Sequence, residues 1–461
     1  MVHPTNSKGS AIDSPPYDLI CVGFGPASLS IAVALRDQRV NARVLFLERQ
    51  TEFAWHCGML LPDTRMQISF MKDMATFRNP RSQFTFLSYL HANNRLVPFT
   101  NLGTFYPLRE EFNDYLKWCA SHFDDFVQYG EEVVSVSPPE TASGAIKTWN
   151  VSSRSVLTGE VSTFAAKNVI IAIGGVGKIP AQFPQRLYNN RVLHSSSYAI
   201  HTPRLLPGRD APYKIAVVGA GQSAVEIYTD LQGRYPNCKT TLFVRQSALR
   251  PSDDSPFVNE IFDPDRVDPF YALPADVRKT QIREDKATNY SVVRLELIEH
   301  VYNVMYRQRL RNPDQRTWAH RIMTNQEVQS VVERPSGKVD LKLKDSRGGS
   351  GANEVETTDG FDLVIFGTGY MRNAHRKLLK DAEPLFEGDC VVDRKYRVQF
   401  KEGAVARDTG IWLQGCCEAT HGLSDSLLSI LAVRGGQMVD AIFGEQADLQ
   451  SATKLQARAQ L

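Results

Sequence analysis

The chain has 461 residues, 42% hydrophobic and 23% charged, which is ordinary globular usage and excludes a disordered or low-complexity protein. Lys+Arg 53 against Asp+Glu 51 leaves a formal net charge of +2, so there is no global basic field of the kind a nucleic-acid binder carries. The 30 Gly and 24 Pro follow no triplet period, which removes collagen.

Residues 1–16 are polar, hold Pro4, Pro15 and Pro16, and lack the apolar stretch of a secretory signal; they read as a flexible N-terminal arm. Tyr17–Val22 is a short apolar run suited to a buried parallel strand. Gly23-Phe24-Gly25-Pro26-Ala27-Ser28 follows, then a helix over 29–36 and a strand over 43–47 that closes on Glu48, which makes a βαβ unit. Residues 169–173 form another short strand, running into Gly174-Gly175-Val176-Gly177. A linker-like stretch, 206–212, precedes a second βαβ unit. Its strand is 214–218, its turn Gly219-Ala220-Gly221-Gln222-Ser223-Ala224, its helix 224–231, and its next strand 240–244 closes on Arg245. A helical excursion spans about 250–330, 345–351 reads as a hairpin turn or loose loop, and 363–366 leads into Gly367-Thr368-Gly369.

The expected fold is therefore α/β, with two Rossmann-like dinucleotide-binding domains, the second inserted in the first, and a small helical substrate-binding subdomain. The first domain is expected at 17–204 and 356–461, the second at 205–355.

The seven cysteines are scattered and form no C-x-x-C pair, which points to reduced thiols in a cytoplasmic protein and nearly excludes a disulfide reductase. Apolar runs are too short or too broken to span a bilayer. No His or Cys spacing suits a metal site. The last residues, Ala459-Gln460-Leu461, are only faintly similar to a peroxisomal address.

In a G-x-G-x-x-G turn the first Gly makes the tight bend and the second admits a pyrophosphate. The third position packs helix on strand, and here it is the small residue Ser28 or Ala224. The helix N-terminus that follows faces the phosphates. The second-strand ends separate the two cofactors. Glu48, 25 residues after Gly23, can accept from a ribose 2′-hydroxyl, as in FAD. Arg245, 26 residues after Gly219, can pair with the 2′-phosphate of NADPH, which a carboxylate there would repel. Lys214 and Arg250 are weaker candidates for the same site. FAD and NADPH in one chain imply hydride transfer to flavin and leave two chemistries open, a reductase or oxidase and a monooxygenase.

Five further blocks carry a resemblance: Met66 to Thr76, Phe84 to Leu90, Asp253 to Glu260, Ala287 to Tyr290, and Thr420 to Ser429. Together they strongly resemble the L-ornithine N5-monooxygenases of hydroxamate siderophore biosynthesis, from about Tyr17 to about Asp440. The lysine N6-hydroxylases are less similar around residues 66–78, and remain an alternative with the NADPH oxidase or reductase. The resemblance implies N-hydroxylation of L-ornithine by NADPH and O2 through a C4a-hydroperoxyflavin, and a homotetramer.

It also implies residue roles. Gly23, Gly25, Pro26, Ser28, Glu48, Arg49, Trp55, His56, Gln67, Val133, Ser426, Leu427 and Leu428 would hold FAD, with Gln67 at the ring. Gly219, Ala220, Gly221, Gln222, Ser223, Arg245, Asn289, Tyr290 and Ser291 would hold NADPH. Lys72 and Asn259 would bind the amino-acid head, next to Glu260, Ile261 and Phe262. Gln67, Asn289 and Ser429 would be the catalytic residues, the Asn289 backbone near the side-chain amine and Ser429 beside the substrate. The residue chemistry agrees, since a lysine set in an apolar run can pair with an α-carboxylate. One departure is visible: His194-Ser195-Ser196-Ser197-Tyr198 keeps the H-x3-Y half of a fingerprint of sister flavin monooxygenases, but Tyr188 and Asn190 replace its Phe and Gly. That argues against the Baeyer–Villiger subgroup.

Overall fold

The computed structural model describes residues 1, 15–140, 144–179, 185–347, 354–356 and 360–444. Most of the N-terminal arm, Gly348 to Gly351, and Ala459 to Leu461 lie outside the described residues.

Tyr17–Val22 and Val44–Glu48 are apolar except for Asp18 and Glu48 and are largely buried on both faces, as parallel strands usually are. They lie side by side in a seven-stranded sheet, with Val127–Tyr129 beyond Val44–Glu48. On the other side of Tyr17–Val22 stands the long strand Val161–Ile171. Its first half pairs antiparallel with Trp149–Ser155, and its second half pairs parallel with Gly410–Leu413. This one strand therefore ties an antiparallel meander to the parallel sheet. Helix Pro26–Asp37 buries Leu29, Ile31, Val33 and Leu35 in the same core.

A second sheet is all parallel, in the spatial order His320–Met323, Lys239–Phe243, Lys214–Val218, Leu363–Phe366, Val192–His194. Helix Gln222–Arg234 packs Val225, Ile227 and Leu231 on it.

The structure departs from the sequence expectation at two places. Val192–His194 and Leu363–Phe366, expected in the first domain, are strands of the second sheet, with Leu363 opposite Ile215 and Phe366 opposite Val218. Apolar periodicity identifies a buried strand but does not say which neighbour it takes. The excursion is helical only through residue 317. After that His320–Met323 is the outer strand of the second sheet, and Gln326–Glu333 starts an antiparallel sheet with Val339–Asp345 and Glu354–Glu356.

The links between the two units include the pairing of Val176–Gly177 with Tyr370–Met371 and the ion pair of Arg109 with Glu226. The H-x3-Y residues are structural. His194 Nε2 lies 2.9 Å from the Gly369 carbonyl oxygen, and the Tyr198 hydroxyl donates to Asp230 at 2.5 Å. Cys21, Cys119, Cys238 and Cys417 are buried as free thiols.

Candidate active site

The first turn has the geometry its glycines promised. Gly23 has φ +88°, and a Cβ there would sit 2.8 Å from the Ala172 carbonyl oxygen, so no other residue fits without a shift. Gly25 has no atom within 4 Å of its Cβ position, which leaves the turn open on the side a pyrophosphate needs. It caps helix Pro26–Asp37 without a side-chain cap bond, so the first-turn N–H groups face outward. Glu48 is buried at the mouth of the turn, where Oε2 accepts from the Phe24 amide at 2.6 Å and Oε1 from Gln50 at 2.8 Å. The free lone pairs of that fixed carboxylate suit a ribose hydroxyl. Arg49 is exposed beside it, and Val133 lies next to a register shift in strand Glu131–Ser137. The Trp55 and His56 rings meet edge to face at 5.2 Å, and His56 holds a left-handed backbone with φ 48°.

The second turn repeats the pattern. Gly219 has φ +142°, and a Cβ there would lie 2.4 Å from the Gly367 carbonyl oxygen. Gly221 heads helix Gln222–Arg234, again without a side-chain cap bond. Its Cβ position faces Ser291 Cα at 3.6 Å, so the chain brings residues 289–291 against the turn. Gln222 fixes that approach, accepting from the Arg294 amide at 2.9 Å and donating to Glu226 at 2.7 Å. Ser291 also has a left-handed φ of 59°. Ala220 is buried. Arg245, just past strand Lys239–Phe243, has a side chain 67% exposed and only a loose approach to Glu327 at 3.8 Å, so its guanidinium is available to a phosphate.

The third component is the loop around Lys72. Asp73 organises it from within the core. Its carboxylate accepts from the amides of Ala75 at 2.9 Å, Thr76 at 2.6 Å and Phe86 at 2.7 Å, and from the Thr76 hydroxyl at 2.7 Å. Burial raises the Asp73 carboxyl above its usual range, and these four donors oppose that shift. Lys72 is thereby held with its side chain 14% exposed, its Nζ 4.0 Å from Asp263 Oδ1. Gln67, earlier in the loop, is exposed.

The remaining residues come from two distant segments. Asn259 donates to the Asp254 carbonyl oxygen at 2.7 Å, and Glu260–Phe262 is a single 3-10 turn. Asn289 ends helix Ala275–Asn289. Leu423–Ser426 packs against both the Glu260–Phe262 turn and that helix, which carries Leu427, Leu428 and Ser429 into the same region. Ser429 Oγ is buried and has no hydrogen-bond partner among the described residues. A buried hydroxyl in that state fits a ligand contact. A cleft of about 140 Å³ runs alongside, between Ile261, Phe270, Leu273, Ile282, His421 and Leu423.

Sequence reasoning missed the groups that hold these segments. Glu418 accepts from the Tyr290 hydroxyl at 2.6 Å and pairs with Lys286 at 2.7 Å, which pins residues 286–290 to the C-terminal segment. Asp425 and Arg434 form a fully buried pair at 2.8 Å, and Asp425 Oδ2 also accepts from the Cys417 amide at 2.6 Å. Burial pushes the Asp425 carboxyl up, and Arg434 opposes it. His421 is stacked on Tyr396 at 3.9 Å, and burial lowers its pKa to about 4. Asp73 left a readable signal, since Asp-x-x-Thr is a common local cap. The ion pairs left none.

Among the described residues, no helix is long and apolar enough to cross a membrane, and no three His, Cys, Asp or Glu side chains gather as a metal site. The two turns fit a dinucleotide each, by the cradles their glycines keep open and the uncapped helix termini behind them.

A family model described as L-lysine 6-monooxygenase/L-ornithine 5-monooxygenase matches residues 15–372. The L-ornithine N(5)-monooxygenase of Ajellomyces capsulatus is 51% identical over 445 residues, 95% of this chain and 93% of the relative. That of Pseudomonas aeruginosa is 42% identical over 433 residues, 93% of this chain and 94% of the relative. Among solved structures, ornithine hydroxylase PvdA from Pseudomonas aeruginosa superposes with a TM-score of 0.84 at 37% identity, over 93% of this chain and 99% of that one. The ornithine N-hydroxylase KtzI of Kutzneria, with reduced FAD, NADP+ and L-ornithine, superposes with a TM-score of 0.82 at 33% identity, over 94% and 100%.

Proposed function

The chain belongs to the L-lysine 6-monooxygenase/L-ornithine 5-monooxygenase family, and from that premise we propose that it converts L-ornithine to N5-hydroxy-L-ornithine with NADPH and O2. One observation carries the reading. Two phosphate turns with opposite charges at their strand ends, Glu48 and Arg245, stand in one chain with a lysine held by a pinned loop.

FAD would lie on Gly23, Gly25, Pro26 and Ser28, its ribose on Glu48 beside Arg49 and its adenine end near the Val133 backbone. Trp55, His56 and Gln67 would line its ring, under Ser426, Leu427 and Leu428. NADPH would lie on Gly219, Ala220, Gly221, Gln222 and Ser223, its 2′-phosphate on Arg245 and its nicotinamide half by Asn289, Tyr290 and Ser291. The FAD-binding unit is built on the seven-stranded sheet, with the NADPH-binding unit inserted in it. The chemistry supplied by the bound flavin is reduction by NADPH, activation of O2 and delivery of one oxygen atom to nitrogen, the other leaving as water.

The chain's own work is to bind, orient and exclude water. Lys72 takes the α-carboxylate, Asn259 the head group, and Glu260, Ile261 and Phe262 close the site. Asn289 and Ser429 hold the δ-nitrogen toward the reacting oxygen. The nitrogen must be neutral to attack, so turnover rises toward alkaline pH. The enzyme would work as a homotetramer in the cytoplasm, at the first step of hydroxamate siderophore biosynthesis.

The test is NADPH consumption with L-ornithine and L-lysine side by side, with hydroxylamine quantified. Stoichiometric hydroxylamine from ornithine and little from lysine is expected. NADPH loss without hydroxylamine from either amine would overturn the reading in favour of an oxidase or reductase.

A further inference from the structure

Asp263 stands at the head of the 3-10 turn Pro264–Arg266, the position where an aspartate ordinarily accepts a bond from the turn's own amides. It makes no such cap bond. Its carboxylate instead faces Lys72, with Oδ1 4.0 Å from Nζ, and this is the one ion pair of Lys72 among the described residues. The two side chains come from segments 191 positions apart in the chain, and they differ in access. Lys72 is 14% exposed and Asp263 46%, so the carboxylate is reachable where the ammonium is sunk. Backbone bonds fix the turn on both sides: the Asp263 amide donates to Glu260 at 3.1 Å, and the Arg266 amide donates to Asp263 at 3.1 Å. Asp263 thus follows directly on Asn259 to Phe262 in a hydrogen-bonded turn, with its charge facing Lys72.

A cation and an anion about one ion-pair length apart are complementary to the head of an α-amino acid, which carries the opposite charges on one carbon. We propose that Asp263 is a specificity-determining residue that receives the α-ammonium group of the substrate while Lys72 receives the α-carboxylate. This rests on the reading of Lys72 given above. It adds a second, independent requirement: the substrate must be zwitterionic at its head, so that an ω-amino acid lacking the α-amine is discriminated against.

The experiment is calorimetric titration of the FAD-containing enzyme, saturated with NADP+, with L-ornithine and with 5-aminopentanoate, which differs from it by the α-ammonium alone. In D263N the Kd for ornithine should rise about tenfold, while that for 5-aminopentanoate changes by less than about twofold. D263E, which keeps the charge, should recover most of the ornithine affinity. Thermal midpoint and flavin content should match the wild type in both variants. Equal losses for the two ligands, or no loss for ornithine, would overturn the proposal. Failure of the functional reading would look different: the wild-type enzyme would form no N5-hydroxyornithine, whatever the ratio of the two Kd values.

Discussion

Arg109 and Glu226 clamp the two nucleotide sheets together, the guanidinium donating to both carboxylate oxygens at 2.7 and 2.8 Å. Arg109 opens helix Arg109–Ser121, whose Phe112, Tyr115 and Leu116 lie in the core of the first sheet. Glu226 sits in helix Gln222–Arg234 behind the second phosphate turn, and Gln222 donates to the same carboxylate. The clamp therefore sets where one turn stands relative to the other. Removing Arg109 leaves a buried carboxylate with one neutral donor. We expect R109M to lose about 3 kcal/mol in urea unfolding, and R109M/E226Q to recover most of it. A single variant as stable as the wild type would show that the clamp contributes nothing.

The two turns should fail separately. Gly23→Ala adds a Cβ 2.8 Å from Ala172 O at a positive φ, and Gly219→Ala adds one 2.4 Å from Gly367 O. The first variant should purify without flavin. The second should keep its flavin but resist anaerobic reduction by NADPH. Flavin content and reduction rate measure both, and loss of flavin from the Gly219 variant would contradict the assignment of turns.

Arg245 should distinguish NADPH from NADH. Its exposed guanidinium has only a weak approach to Glu327 to give up, so R245A should raise the KM for NADPH about tenfold or more and leave NADH within about twofold. Equal effects on both would remove the 2′-phosphate contact.

Lys72 should affect the amino acid and not the nucleotide. K72A is expected to raise the KM for ornithine about tenfold or more, while NADPH oxidation without substrate continues at a comparable rate. Unchanged ornithine saturation would sink the role.

Acid should destabilise the fold through His421. Its pKa is lowered from 6.5 to about 4 by burial, with Arg394, Arg434 and Arg278 adding repulsion, so the folded state binds its proton less well than the unfolded one. The stabilising contribution is complete above pH 6.5 and is lost as pH falls toward 4, an effect of up to about 3 kcal/mol. His320, half-buried and lowered to about 4 by desolvation, shares this limb. Thermal unfolding of H421Q should therefore fall less steeply with acid than that of the wild type. Parallel pH profiles would count against it.

The phosphate turns were legible because their chemistry is local. Tyr17–Val22, Lys214–Val218 and Leu363–Phe366 form at the residues their apolar runs indicate, and Gly23 and Gly219 take the positive φ their motifs require. Lys72, set in an apolar run, keeps a largely covered side chain, 14% exposed. Asp263 was not legible, because an aspartate before Pro264 reads as an ordinary cap, and nothing nearby in sequence shows that the cap bond goes unmade. Glu418 and the Asp425–Arg434 pair were equally silent.

What the sequence determined by itself, then, is the pair of nucleotide turns, the sign of charge at each strand end, and the family. All of these are encoded within about thirty contiguous residues or in ordered blocks, where backbone sterics and short-range periodicity act. Only the tertiary structure decided which sheet receives Val192–His194 and Leu363–Phe366, which carboxylate faces Lys72, and how Arg109 meets Glu226. Those choices depend on contacts between residues more than a hundred positions apart, where burial and pairing of charge, rather than local propensity, select the partner.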